Sequence, residues 1–157
     1  MNKEDAKFMA EAIKLSKESV VSGGGPFGAL VVKDGKITGT GINRVTLWND
    51  PTAHAEIVAM REACKYLNSF QLDECVLYTS CEPCPMCIGA IHWARLKIVY
   101  FANTQHDAAN IGFDDSFIYD EISKKHSERF IKFHQMMRDD ALEAFKMWSE
   151  KLDKVRY

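Results

Sequence analysis

Two short segments carry the residues best suited to chemistry: Pro51-Thr52-Ala53-His54-Ala55-Glu56 and Pro83-Cys84-Pro85-Met86-Cys87. Cysteines three apart at a helix start turn their sulfurs toward one side of the first turn. The helix dipole and the free N–H groups there favour thiolates, the form that zinc binds. His54, at a second helix start, supplies a third ligand. Three protein ligands leave one tetrahedral position open for water, as in a catalytic zinc site. One neutral imidazole and two thiolates cancel the charge of the metal. Glu56 is then the expected proton carrier. Positions i and i+2 lie roughly 200° apart around a helix, so His54 and Glu56 address one water only at a helix end. Pro51 and Thr52 place them there, with Thr52 the expected N-cap.

The same residues admit other readings. A single buried histidine is usually a packed core residue, and a single Cys-x-x-Cys suits a redox pair or structural zinc. A structural site needs four closed ligands, however, and a redox pair has no use for His-x-Glu. Cys81 and Cys84 are also three apart, and Cys81, Cys84 and Cys87 begin like an iron–sulfur run. The next position of that run is Ile91 and not cysteine. Cys81 precedes the expected helix, so the zinc set is His54, Cys84 and Cys87.

The 157 residues fit one domain, 1–157, with 46% apolar and 27% charged residues, a globular balance. A net charge of −2 offers no general attraction to phosphate backbones. Lys124-Lys125 and the basic residues from Lys151 to Arg156 are interleaved with acids and read as solvated helix faces, so no nucleic-acid partner is expected. The N-terminal stretch mixes charges with apolar residues and resembles neither a signal peptide nor a membrane span. No membrane partner is expected, and the cytoplasm is the expected location. Three of the five cysteines fall within seven residues, which suggests metal or catalysis before disulfides.

The elements that must position these groups follow from the apolar pattern. Phe8, Ala12, Leu15 and Ser19 have helical spacing over residues 4–21, and Gly23-Gly24-Gly25-Pro26 ends that helix. Apolar runs at 27–32 and 37–45 flank Asp34-Gly35, a tight hairpin pattern. A helix is expected from about 53 to 66, a strand at 75–79, a helix from the Pro83/Pro85 start to Ala94, and a strand at 98–102. Residues 129–137 suggest a further strand and residues 140–151 a helix. This succession predicts an α/β fold, a three-layer α-β-α sandwich with a mixed central sheet.

The paired segments His54-x-Glu56 and Pro83-Cys84-x-x-Cys87 resemble the cytidine-deaminase-like zinc deaminases. Within them the chain resembles the small bacterial guanine deaminases over nearly its whole length. The matching stretches are Gly25-Pro26-Phe27-Gly28-Ala29, Lys33-Asp34-Gly35, residues 49–56, 78–90 and 113–119, and the terminal Tyr157. The resemblance implies a hydrolytic deaminase acting on guanine, with one zinc ion per subunit. Glu56 would take a proton from the water and pass protons to the ring nitrogen and the leaving amine.

It further implies that Asp115 reads the N1–H and 2-amino donors of guanine and acts in catalysis, that Asn43 reads the other polar edge, and that Ala55 contacts the substrate. Phe27 and Trp93 would wall the ring faces, and Tyr157 would reach an active site through exchange of C-terminal segments in a homodimer. Taken without the resemblance, Asn43 also suits a strand end, Asp115 a helix cap, and Phe27 and Trp93 a core. Guanosine deaminase and tRNA adenosine deaminase share much of the pattern, cytidine deaminase less. A non-catalytic zinc-stabilised binding module is the rival from another class, and the open ligand set with Glu56 beside it argues against that module.

Overall fold

The computed structural model describes residues 3–156, and these form two compact units, the first ending at Asp115 and the second beginning at Ser116. The first unit begins with α1 (Lys3–Val21), followed by the hairpin of β1 (Gly28–Lys33) and β2 (Lys36–Ile42). Asp34 and Gly35 both have positive φ, 50° and 70°, as a two-residue turn between twisted antiparallel strands requires. The hairpin register shifts between Val31 and Val32, and the Thr38 hydroxyl donates to the Val31 carbonyl beside the shift.

A short α2 (Val45–Trp48) precedes α3 (Ala55–Leu67), β3 (Val76–Cys81), α4 (Pro85–Trp93), β4 (Ile98–Asn103) and α5 (Gln105–Asn110). The sheet order is β2-β1-β3-β4, with β1 antiparallel to both neighbours and β3 parallel to β4. The mixed sheet expected from the sequence is therefore present.

β1 explains the layering. Successive strand residues face opposite sides, and β1 is apolar on both. Leu30 and Val32 pack with Ala12 and Tyr78 beneath Phe8, Met9 and Leu15 of α1. Ala29 and Val31 pack with Leu77 and with Ala55, Ala59, Ala63, Cys87 and Ile91 of α3 and α4. The sheet is thus covered on both faces, which is the three-layer α-β-α arrangement. On the α3 side the approach is unusually close. A Cβ added at Gly39 would collide with the backbone of Ala59 and Ala63, and one added at Gly41 with that of Ala55 and Ala59.

Strand direction then decides where a site forms. The start of β1 pairs with the end of β2 (Gly28 with Ile42), and Ala29 pairs with Thr79 near the end of β3. Cys81 and Asn103 pair at the ends of β3 and β4. The loops after β2, β3 and β4 and the loop before β1 therefore share one edge of the sheet, where open α/β sheets bind ligands.

The second unit contains α6 (Ser116–Ser123), a single 3-10 turn (His126–Glu128) and α7 (Arg138–Glu150). The strand expected at 129–137 is not there. Its residues have no partner strand among the described residues, and side-chain bonds to the backbone shape the segment instead. The Arg129 guanidinium donates to the Lys124 and Ile122 carbonyls, the Glu121 carboxylate accepts from Phe130 N–H, and Arg129 lies over the Phe133 ring.

The glycine contact yields a stability prediction. Gly41→Ala forces α3 off β2 and should cost roughly 1–3 kcal/mol, read as a lower urea midpoint with unchanged slope. An unaltered midpoint would show that the close approach is not needed.

Candidate active site

His54 and Cys84 occupy equivalent places: each is the extended N-cap residue of its helix, His54 of α3 and Cys84 of α4. Cys87 follows one turn into α4, and Pro85 fills the first helical position, where the missing N–H costs nothing. Thr52 is not the N-cap that the sequence suggested. Its N–H and hydroxyl both donate to Asp50 Oδ1, at 2.8 and 2.7 Å, forming a local turn that delays the helix by two residues. The delay places His54 at the helix end, where the i, i+2 geometry of His54 and Glu56 needs it.

His54 Nδ1 lies 3.5 Å from Cys84 Sγ and 3.7 Å from Cys87 Sγ, and the three donor atoms all lie within 4.8 Å of one another. A tetrahedral zinc with N at roughly 2.05 Å and S at roughly 2.3 Å separates N from S by about 3.6 Å. The group therefore fits zinc in both chemistry and spacing. The thiol pair is already polarised: the Cys87 thiol donates to Cys84, and this together with His54 holds Cys84 down at about 4. Cys87 keeps the shared proton and is pushed up by it and by burial. The Cys84 sulfur in turn raises the His54 imidazole.

Cys81 is set apart. Its thiol faces the Thr104 carbonyl at 3.6 Å, and burial pushes it up to about 11, so it stays neutral and outside the donor trio.

Glu56, 6% exposed, sits in the first turn of α3, and burial raises its carboxyl above the usual range. The Thr79 hydroxyl donates to Glu56 Oε1 at 3.4 Å, an orienting contact the sequence did not reveal. A buried carboxyl with raised proton affinity beside a metal group suits proton transfer in both directions.

These groups open onto a cavity of about 480 Å³ on the sheet edge described above, lined in part by Phe27, Asn43, His54, Glu56, Cys84 and Asp115. Asn43 Oδ1 accepts from the N–H groups of Gly25 and Val45, so its orientation is fixed and Nδ2 is the group presented to a ligand. The Phe27 ring meets Phe113 edge-on, with centroids 5.0 Å apart, and it also packs against the core. It therefore belongs to the core and to the cavity wall at once.

Other expected residues fall elsewhere. Ala55 is fully buried, and its methyl does not line the cavity. Trp93, at the end of α4, is 68% exposed and does not line it either. Tyr157 lies outside the described residues. Glu82, Gln105 and Phe113 also line the cavity, and of these Gln105 lies outside every motif and matching stretch of the sequence, because its place comes from pairing across loops.

This fold, with a His-Cys-Cys group at two helix starts and a buried glutamate beside it, defines a zinc-dependent deaminase. Residues 2–103 match the cytidine and deoxycytidylate deaminase zinc-binding region, and the chain belongs to that family. It is 55% identical to the guanine deaminase of Bacillus subtilis over 151 residues, 96% of this chain and 97% of that protein. The crystal structure of the Bacillus enzyme superimposes with a TM-score of 0.95, covering 100% of this chain and 99% of that one. Guanine deaminase from Nitrosomonas europaea gives a TM-score of 0.67 at 29% identity over 91% of this chain and 72% of its own. A tRNA-specific adenosine deaminase from Aquifex aeolicus is 41% identical over 95 residues, 60% of this chain and 63% of its own length.

The donor geometry predicts how metal content responds to substitution. Cys87→Ala should purify with at least roughly tenfold less zinc than wild type, whereas Cys81→Ala should keep its zinc, both read by elemental analysis. Loss of zinc from Cys81→Ala would place that thiol among the ligands.

Proposed function

We propose that the protein hydrolyses guanine to xanthine and ammonia, with His54, Cys84 and Cys87 holding zinc. The observation that carries this is Asp115 on the wall of the metal cavity, in a chain similar end to end to a guanine deaminase. When bound, zinc supplies a Lewis acid that makes water a nucleophile near neutral pH. Guanine offers N1–H and the 2-amino group on one edge, both donors, and a carboxylate accepts from both. Adenine offers an acceptor at N1, which a carboxylate repels. Asn43 Nδ2 donates to the opposite edge, and Phe27 backs the ring.

Glu56 carries the protons. Thr79 occupies Oε1, so Oε2 is the oxygen that takes the two protons of the attacking water in turn, passing the first to the ring nitrogen and the second to the departing amine. Burial keeps this carboxyl readily protonated. The dependence on thiolate ligands suits a reducing compartment, which supports the cytoplasm as its location.

We read residues 1–157 as one deaminase domain whose C-terminal segment is exchanged in a homodimer, bringing Tyr157 to an active site. None of residues 116–156 is buried within one chain, and Phe130, Ile131, Met136 and Phe145 are largely exposed. Apolar surface of that extent supports a partner, and a second copy is the occupant that the resemblance implies. No described helix is long and apolar enough to cross a membrane.

A panel of guanine, guanosine, adenosine and cytidine, read by ammonia release, tests the assignment. Guanine should be the best substrate, and release from guanosine without release from guanine would overturn it. Glu56→Gln should keep zinc and lose about 10²–10⁴-fold in kcat; retained turnover would remove Glu56 from the mechanism. Deleting Tyr157 should lower kcat/KM on guanine with little change in Tm, and unchanged kinetics would leave the terminus without a role.

A further inference from the structure

Asp115 ends an irregular segment, residues 111–115, that contains Gly112 at φ 93° and no helix or strand. A carboxylate on such a segment points in one direction only if something holds it. Gln105 Nε2 donates to Asp115 Oδ1 at 2.7 Å, and both side chains line the metal cavity. A carboxylate only accepts, so the contact fixes the amide orientation, with Nε2 toward Asp115.

Gln105 is itself anchored twice. Its N–H donates to Glu82 Oε2 at 2.9 Å, and it follows Thr104, whose capping box with Asp107 starts α5. Glu82 N–H donates to the Asn103 carbonyl at 2.8 Å, and Glu82 stands two residues before Cys84. A short relay of hydrogen bonds thus runs from the loop that begins the Cys84 helix, through Gln105, to the carboxylate on the cavity wall.

We propose that Gln105 is a positioning residue for substrate recognition: it occupies Asp115 Oδ1 and thereby aims Oδ2 at the donor edge of the purine. This rests on the reading of Asp115 as the group that recognises guanine. The alternative is that the pair merely closes the loop, and the two roles make different demands on Asp115. A positioning residue matters only while Asp115 Oδ2 can accept from the base, whereas a structural tie matters wherever Oδ1 can still accept from Gln105.

A double-mutant cycle on zinc-loaded protein separates them: Gln105→Ala, Asp115→Asn, which keeps an oxygen for Gln105 but loses the one that accepts from the base, and both together, with kcat/KM on guanine and calorimetric binding of xanthine. Gln105→Ala should lower kcat/KM by about ten- to a hundredfold, the range for losing a hydrogen bond to a charged group, with normal zinc content. In the Asp115→Asn background the same change should matter by less than about twofold, in kcat/KM or, where turnover falls below detection, in xanthine affinity. Gln105→Met keeps the length without the donor and should lose as much as Gln105→Ala.

Three results would overturn the role: Gln105→Ala within twofold of wild type, full activity in Gln105→Met, or equal penalties with and without the Asp115 carboxylate. If wild type turns over another ring and not guanine, the base assignment falls separately. The same cycle on that ring then decides for Gln105: coupling supports it, and additivity rejects it.

Discussion

The whole arrangement depends on two helices beginning within the reach of one metal ion. His54 and Cys84 cap α3 and α4, and together with Cys87 they bring three donor atoms within 4.8 Å of one another. Neither helix achieves this alone. α4 follows directly from the central strand β3, so its start is fixed by the sheet. α3 must be seated separately, and it is seated by small residues: Gly39 and Gly41 of β2 let the backbone at Ala55, Ala59 and Ala63 approach more closely than any side chain would allow. Core packing on one face of the sheet thereby sets a coordination distance at its edge.

Electrostatics follow from the same placement. The helix starts offer N–H groups and positive dipole ends to the sulfurs, and Cys84 is already held near 4 by Cys87 and His54. Glu56 is buried by the same seating of α3, which raises its proton affinity. Cys81, only three residues before Cys84, is chemically different because it still belongs to the strand and faces the Thr104 carbonyl. The end of β3 therefore separates a neutral thiol from one in the donor group that fits zinc.

Much of this was readable in the linear sequence because local rules governed it. The Asp34-Gly35 hairpin, the apolar run of β1 and the His54/Glu56 and Cys84/Cys87 segments each carry their meaning within a few residues. Where tertiary partners decide, reading along the chain did less well. Thr52 looked like a cap, but Asp50 captured its hydroxyl and moved the cap to His54. Residues 129–137 suggested a strand, yet strand formation needs an edge to pair with, and bonds from Arg129 and Glu121 shape the segment instead. Gln105 carries no motif at all. Its relation to Asp115 arises only when the loops after β4 and after α5 are brought together.

The central claim is a three-ligand site with two sulfurs, one imidazole and an open position at two converging helix starts. X-ray absorption at the zinc edge of the zinc-loaded protein tests it most directly. The account predicts two sulfur neighbours at about 2.3 Å and two nitrogen or oxygen neighbours at about 2.0 Å. Three sulfur neighbours would bring Cys81 into the shell and contradict the separation of the two thiols at the end of β3.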